Sequence, residues 1–414
     1  MVLALGVLHF ESRNNVSITM RFDDAPAERA LRTQLREYFA TLIPADDPEL
    51  LGAPGDNAAH FREVIRKLGA DGWLGFGWPV EYGGQGRSAV EQYIVFDEIQ
   101  RAGVPFPFVT VNTVGPTIMR FGTDQQKAKY LPRILAGELN VAIGYTEPSA
   151  GTDLASLRTT ARLDGDEWVV NGSKVFTSGA NQADFIWLAC RTEPDAKKHA
   201  GLSIIMVPTD SPGFRFTPIV TVGDIVTTST YYDDVHVPAE NIVGERGGGW
   251  RMITTQLNHE RVGLAALGGP AWRMWAEVGA WARETRVNGV PAGERVADLP
   301  WVRSDLADCY ARLEAMKLIN WRLVEAIAED RLQPADASTA KFYGTETHVY
   351  VYRKLLSILG AAGWLRGDAP GAALQGRVER AGRSAQINTF GGGVNEIQRE
   401  IVAATELKMA RRAR

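Results

Sequence analysis

The chain changes its hydrophobic period twice, and that double switch restricts it to a three-part α+β architecture. From about Ala27 to Gly137 apolar residues recur mostly at helical spacing. Arg29–Ala40 and His60–Gly69 read as amphipathic helices and Val90–Gln100 as a third, separated by Gly/Pro-rich stretches at Gly72–Pro79 and Tyr82–Gly86. Between Val141 and about Gly244 short β-branched and aromatic runs (Trp168–Val170, Phe185–Cys190, Leu202–Val207) alternate with turn signals at Asp164-Gly165, Asn171-Gly172 and Ser211-Pro212-Gly213. From Gly247 the helical period returns. Leu306, Cys309/Tyr310, Leu313, Met316, Asn320, Val324 and Ile327 trace one long stripe, and further helices are expected at about 336–360, 370–388 and 395–410. Long antiparallel helices with short links suit a four-helix bundle. The expected division is an N-terminal helical domain over 20–140, a middle β domain over 141–245 and a C-terminal bundle over 246–414. Residues 1–19 precede the more coherent segment and are expected to be a disordered extension.

Bulk properties exclude several classes. A net charge of −4 with 23% charged residues gives no basic excess for nucleic acid. No apolar run reaches membrane-span length, and Met1–Phe10 lacks the basic n-region and cleavage site of a signal peptide. Two cysteines, Cys190 and Cys309, make neither a disulfide framework nor a metal cluster, and the six histidines include no His-x-x-x-His pair. A cytoplasmic, metal-free protein is expected.

Glu260 is the most informative single residue. Ile253, Leu257, Leu264 and Leu267 recur at helical spacing, and position 260 falls within their stripe. A carboxylate on a buried face costs several kcal/mol unless it is paired or holds its proton more tightly. A glutamate tuned that way suits a general base for a weakly acidic C–H; pairing with a neighbour such as Arg261 is the simpler alternative. Three other stretches carry chemistry. Tyr145–Asp153 offers hydroxyls and backbone N–H groups on a sharply turning segment, as a heterocycle edge or phosphate requires, or is an ordinary turn. Lys174–Gly179 presents an aromatic face and a hydroxyl, or is a plain strand. Phe390–Arg399 places three glycines before a helix, with Asn395 as a plausible N-cap and Gln398 three residues on, and close backbone approach to a ligand as a second use of the glycines.

Taken in order, these stretches resemble the acyl-CoA dehydrogenase family. The resemblance runs from about Met20 to Arg412 and is most specific at Gly144–Asp153, Asn171–Gly179, Tyr231–Asn241, Gly247–Trp250 and Gly391–Arg399. It implies a helical N-terminal domain, a central β-barrel-like domain and a C-terminal four-helix bundle, with FAD in the cleft between them. By motif position, Tyr145, Thr146, Gly151 and Thr152 would line the flavin and its ribityl-phosphate arm, Phe176 would pack on the isoalloxazine, and the Ser178 hydroxyl would reach toward N5. Thr152, Arg261, Gly391 and Gly392 would meet the substrate. The implied reaction removes an α-proton by a glutamate and a β-hydride to the flavin, while the Gly392 N–H holds the thioester oxygen. An electron-transferring flavoprotein is the implied electron acceptor.

Two departures refine the resemblance. Many members carry the base in a Tyr-Glu-Gly-Thr run, where this chain has Gly391, Gly392, Gly393 and Val394. Leu257-Asn258-His259-Glu260-Arg261 instead matches the minority that places the base on the first bundle helix, which makes Glu260 the catalytic candidate and Arg261 a tuning residue. The Arg-x-x-Phe-Gly and Gln-x-x-Gly-Gly stretches, through which a like subunit holds the ADP half of FAD, appear here as Arg286–Gly293 without the phenylalanine and Ser357–Gly363 without the glutamine. The chain is thus similar to the base-bearing subunit of the heterotetrameric acyl-CoA dehydrogenases of actinobacterial steroid catabolism. That likeness implies a second, unlike subunit and a steroid substrate with a propionyl-CoA side chain. A homo-oligomeric enzyme for short or branched acyl groups, and a non-catalytic subunit completing a partner's FAD site, are the alternatives.

Overall fold

The computed structural model describes residues 7–11, 17–21, 23–43, 58–256, 268–287 and 293–409. Strands β1 (Val7–Glu11) and β2 (Ser17–Arg21) pair antiparallel, Val7 opposite Arg21, so β1 and the start of β2 fall in the 1–19 stretch expected to be disordered. Their β-branched and aromatic residues are those a paired strand favours. Five helices follow: α1 (Pro26–Leu42), α2 (Ala58–Ala70), α3 (Ala89–Ala102), α4 (Gly115–Phe121) and α5 (Asp124–Leu135). Ser88 caps α3 and Thr123 caps α5, each with the reciprocal residue three positions on, Glu91 and Gln126. Adjacent carboxylates on α3, Asp97 and Glu98, are buried because α1 supplies their counter-charges. Arg32 donates to Asp97 at 2.6 Å and to Glu98 at 2.8 Å, and Arg36 adds two contacts to Glu98.

The eight-stranded sheet comprises β3 (Val141–Gly144), β4 (Thr160–Asp164), β5 (Glu167–Lys174), β6 (Phe185–Arg191), β7 (Leu202–Pro208), β8 (Phe214–Val220), β9 (Val226–Pro238) and β10 (Ile242–Val243). Its order is β10-β7-β6-β4-β5-β9-β8, with β3 parallel on β6. β6 and β7 read as unbroken apolar runs because both their faces are covered. Trp187, Ala189, Ile204 and Met206 join the core shared with the N-terminal helices and with Trp321 and Val324. Ile186, Leu188, Cys190, Ile205 and Val207 point the other way, into a core closed by Trp168, Tyr232 and Val235. Asn171-Gly172, expected as a turn, is instead a bulge inside β5, where the register to β9 shifts between Val170 and Gly172. A Cβ on Gly172 would lie 2.6 Å from Thr159 Oγ1, and its φ of 142° is one a side chain disfavours.

A helical stretch over 249–256, here α6, leads toward 257–267; Glu260 and Arg261 therefore lie outside the described residues. Beyond it run α7 (Gly269–Glu284), α8 (Pro300–Ala328), α9 (Pro334–Leu359), α10 (Arg377–Ser384) and α11 (Asn395–Thr405). α9 is the hub against which α7, α8, α10 and α11 pack. The helix expected over 370–388 is broken: Leu374, Gln375 and Gly376 all adopt positive φ before α10 begins, and a 3-10 turn, Ala385–Thr389, follows it. The turn between β8 and β9 docks on α10, where Ser384 Oγ donates to Gly223 O at 2.7 Å and Arg383 grips Asp224. Among the described residues no helix is long and apolar enough to cross a membrane.

Candidate active site

The polar turn after β3 is held from below by a buried ion pair. Glu147 and Lys174 are 6% and 1% exposed. The Glu147 carboxylate accepts from Lys174 Nζ at 2.9 Å, Arg158 N at 2.7 Å and Thr159 N at 2.8 Å. Burial alone would raise the Glu147 carboxyl, but the Lys174 ammonium and the Thr159 donor outweigh it and hold it below its ordinary value. Lys174 also donates to Tyr145 O at 3.0 Å, so one ammonium ties the turn at two points. Paired bonds between Glu147 and Ala150 close Glu147–Ala150 into a tight loop. Gly151, Thr152 and Asp153 stand exposed beyond it, and a Cβ on Gly151 would meet nothing within 4 Å. The Tyr145 ring faces inward. Trp187 Nε1 donates to its hydroxyl at 3.1 Å, and that hydroxyl donates to Gln256 Oε1 at the end of described α6. Gln256 Nε2 is buried and has no hydrogen-bond partner among the described residues.

Lys174–Gly179 lies beside this turn. Val175 N donates to Thr146 O at 2.8 Å. Phe176 then adopts φ 60°, a left-handed conformation that costs an aromatic residue about 1–3 kcal/mol. Its neighbour holds it there: Thr177 is fully buried, its N–H donates to Thr228 O at 3.0 Å, and Thr228 Oγ1 returns a bond to Thr177 O at 2.7 Å. The strained backbone leaves the Phe176 ring 61% exposed. Ser178 Oγ lies 3.0 Å from Thr227 Oγ1, and either hydroxyl of such a pair can donate. Tyr145, Thr146, Gly151, Thr152, Phe176 and Ser178 thus fall on two directly bonded segments, as a shared ligand surface requires.

The triglycine loop is built from the helical region. Gly391 N donates to Ile387 O at 2.8 Å. Gly392 has φ 66°, and a Cβ there would meet nothing within 4 Å. Asn395, expected to cap α11, does not: Val394 holds the N-cap position, and Asn395 is the first helical residue, buried at 3% exposure. Its amide is instead committed sideways to α9, accepting from Lys341 Nζ at 2.8 Å and donating to Thr345 Oγ1 at 3.1 Å and Glu346 Oε1 at 3.2 Å. Lys341, Lys174 and Glu147 escape sequence reasoning. For Lys341 a signal exists, since Lys341, Thr345, His348 and Tyr352 form a polar stripe at helical spacing on one face of α9, all buried.

Helices before and after a central sheet, with irregular glycine-bearing loops exposed from both parts, define an α+β architecture. Models of the acyl-CoA dehydrogenase N-terminal, middle and C-terminal domains match residues 25–138, 142–235 and 247–407. The chain belongs to the acyl-CoA dehydrogenase family, oxidoreductases that act on the CH–CH group of acyl-CoA thioesters. It is 49% identical over 401 residues to acyl-CoA dehydrogenase FadE26 of Mycobacterium tuberculosis, covering 95% of this chain and 99% of that one. Among solved structures it is similar to the Tcur3481-Tcur3483 steroid ACAD, with TM-score 0.90 and 58% identity over 95% of this chain and 100% of that one. It is also similar to the ChsE4-ChsE5 complex from Mycobacterium tuberculosis, with TM-score 0.88 and 50% identity over 95% and 100% of the two chains.

Proposed function

We propose that this chain is the base-bearing subunit of a cytoplasmic, heterotetrameric, FAD-dependent acyl-CoA dehydrogenase acting on a steroid with a propionyl-CoA side chain, of the 3-oxo-pregn-4-ene-20-carboxyl-CoA type. The observation that carries the reading is the surface shared by the Tyr145–Asp153 turn and the exposed Phe176 ring. It joins an aromatic face, two hydroxyl-bearing turns and the open side of Gly151, which is the donor set a flavin needs. Bound FAD supplies the two-electron acceptor for the β-hydride. The protein's own residues do the rest. Tyr145, Thr146, Gly151 and Thr152 bind along the cofactor, Phe176 packs on its ring and Ser178 offers its hydroxyl. Glu260 removes the α-proton, and Arg261 tunes the pocket around it. The Gly392 N–H, freed by a positive φ, takes the thioester oxygen, with Gly391 beside it. Holding negative charge on that oxygen acidifies the α-carbon, so that a carboxylate suffices as base.

The steroid assignment draws on similarity to proteins named as steroid ACADs and on a loop at Gly391–Gly393 that carries no side chains. The unlike partner would complete the ADP half of the FAD site, and an electron-transferring flavoprotein would reoxidise the enzyme. The test is co-expression with the candidate partner and activity of the purified complex across CoA thioesters from short acyl to steroid. Glu260→Gln is expected to cut turnover by about 100- to 10,000-fold while the complex stays yellow. Normal turnover by that variant would remove Glu260 as base, and a lone chain purified with one FAD per subunit would remove the unlike partner.

A further inference from the structure

Three glycines in succession make a loop that its own backbone cannot hold. Glycine has more conformational freedom to lose than any other residue. Among the described residues, the backbone bonds made by the N–H groups of 390–394 run from Phe390 and Gly391 back to Ile387, at 3.3 and 2.8 Å. Both anchor the start of the loop. Its far end is held by Lys341 on α9, whose Nζ lies 2.6 Å from Gly393 O, 2.8 Å from Asn395 Oδ1 and 3.3 Å from Thr389 O. One amine therefore grips the chain both before the glycines and after them, and it does so from the rigid hub helix.

We infer that Lys341 is a positioning residue for the dehydrogenation, fixing the Gly391–Gly393 loop so that the Gly392 N–H points at the thioester oxygen. This rests on the reading of Gly392 given above. Two features separate the clamp from an ordinary buried cation. Its three acceptors are uncharged oxygens, and among the described residues no carboxylate lies within ion-pair distance. An ammonium has three N–H donors and all three are used, whereas the neutral amine has two. Loss of the proton must therefore release one tether.

Burial pushes Lys341 down to about 8, with Glu396 and Glu346 pulling it back up. The charged groups around it are Glu346 on its own helix and, from α11, Glu396 and Arg399, the last ion-paired to Glu346 at 2.6 Å. The sign follows directly. Below this value the amine is charged and the loop is tied at three points; as pH rises through it the clamp loosens and turnover falls.

The experiment uses the FAD-loaded enzyme with its partner subunit and a CoA thioester that it turns over. Lys341→Met is expected to lower kcat by about 100-fold, the usual consequence of a misplacement near 1 Å, with KM changed by less than about threefold because uniform binding is untouched. Lys341→Arg, which stays charged, is expected to recover most of kcat and to lose the alkaline fall in rate near the native value. In the native enzyme, amide-exchange protection of 390–394 is expected to drop as pH rises through that same value, a measurement that needs neither variant nor turnover. A Lys341→Met enzyme with kcat within threefold of native, an unshifted alkaline limb in Lys341→Arg, or pH-independent protection of the loop would each overturn the proposal. Glu260→Gln run in parallel separates the two readings. If it turns over normally while Lys341→Met is impaired as expected, the base assignment fails and the clamp stands; the opposite pattern removes the clamp alone.

Discussion

Replacing Glu147 by glutamine tests whether the flavin-side turn is held by charge or merely by shape. The substitution keeps the volume and one carbonyl oxygen but removes the carboxylate charge paired with Lys174, whose side chain is 0% exposed. It also sets an amide NH2 against one of two backbone donors, Arg158 N or Thr159 N, which now bond to separate carboxylate oxygens at 2.7 and 2.8 Å. Stripping one partner from a buried ion pair costs about 3–5 kcal/mol. At roughly 2–4 °C per kcal/mol for a domain of ordinary size, Glu147→Gln is expected to lower the melting temperature by about 6–20 °C. Flavin retention should fall too, because Lys174 would be free to leave Tyr145 O. The double variant Glu147→Gln/Lys174→Met removes both charges and is expected to recover at least half of the loss, since an apolar replacement of a buried pair is often neutral. The assays are thermal melting followed by circular dichroism and flavin content read from the visible spectrum. pH provides a second axis. Glu147 titrates below its ordinary 4.5 in the folded protein, so its contribution is present above that value and is lost as pH falls through the folded one. The glutamine variant should accordingly show a shallower acid limb. A melting temperature within about 2 °C of native, or a double variant as unstable as the two single losses together, would refute the argument that the pair carries the turn.

Gly392→Ala forces a side chain into a left-handed backbone, at a cost of about 1–2 kcal/mol. Open space around the position means the expected result is a loop that repacks, with turnover reduced more than flavin content, and unchanged kinetics would argue against a role for that N–H. His348, buried mid-helix with Nε2 unpartnered, is pushed down by burial from 6.5 to about 4. The unfolded chain therefore binds the proton first, and stability is expected to fall by about 3 kcal/mol as pH drops from 6.5 to 4. His348→Leu removes this part of the acid sensitivity, and denaturant melts at the two pH values would show whether it does.

The architecture was legible because the apolar period switches from helical to strand-like and back again. β6 and β7 were visible as apolar runs, and the structure explains why they do not alternate: one face of each meets the helical core and the other the closed side of the sheet. Local misreadings trace to residues with two uses. Asn171-Gly172 has the composition of a hairpin turn but serves as a bulge, fixed when Asn171 Nδ2 reaches Asp234 Oδ1 across the strand pair at 2.8 Å. Asn395 has the composition of a cap but is drawn inside by Lys341, a partner 54 residues earlier in the chain. In both cases a long-range bond outcompetes the local one that composition favours.

The same competition explains why the loops of the site were easier to find than what holds them. Tyr145–Asp153 and Gly391–Gly393 stand out as irregular segments rich in glycine and hydroxyls, and an irregular segment has carbonyls that no strand or helix satisfies. Each segment gives one such carbonyl to a buried lysine: Tyr145 O to Lys174 at 3.0 Å and Gly393 O to Lys341 at 2.6 Å. An ammonium suits this task because its three donors diverge and can tie separate points of a loop to a rigid element. The two clamps differ in their counter-charge. Lys174 sits on β5 against Glu147, whose carboxylate offsets part of the burial that pushes the ammonium below its ordinary value. Lys341 bonds directly to three neutral oxygens, with Glu396 and Glu346 acting on it from further off, so its hold depends on a proton that burial makes it keep with difficulty. Under the proposed mechanism the paired lysine supports the cofactor side, which must stay fixed throughout the cycle. Lys341 supports the thioester side, where the Gly392 N–H meets an oxygen that gains negative charge in the transition state.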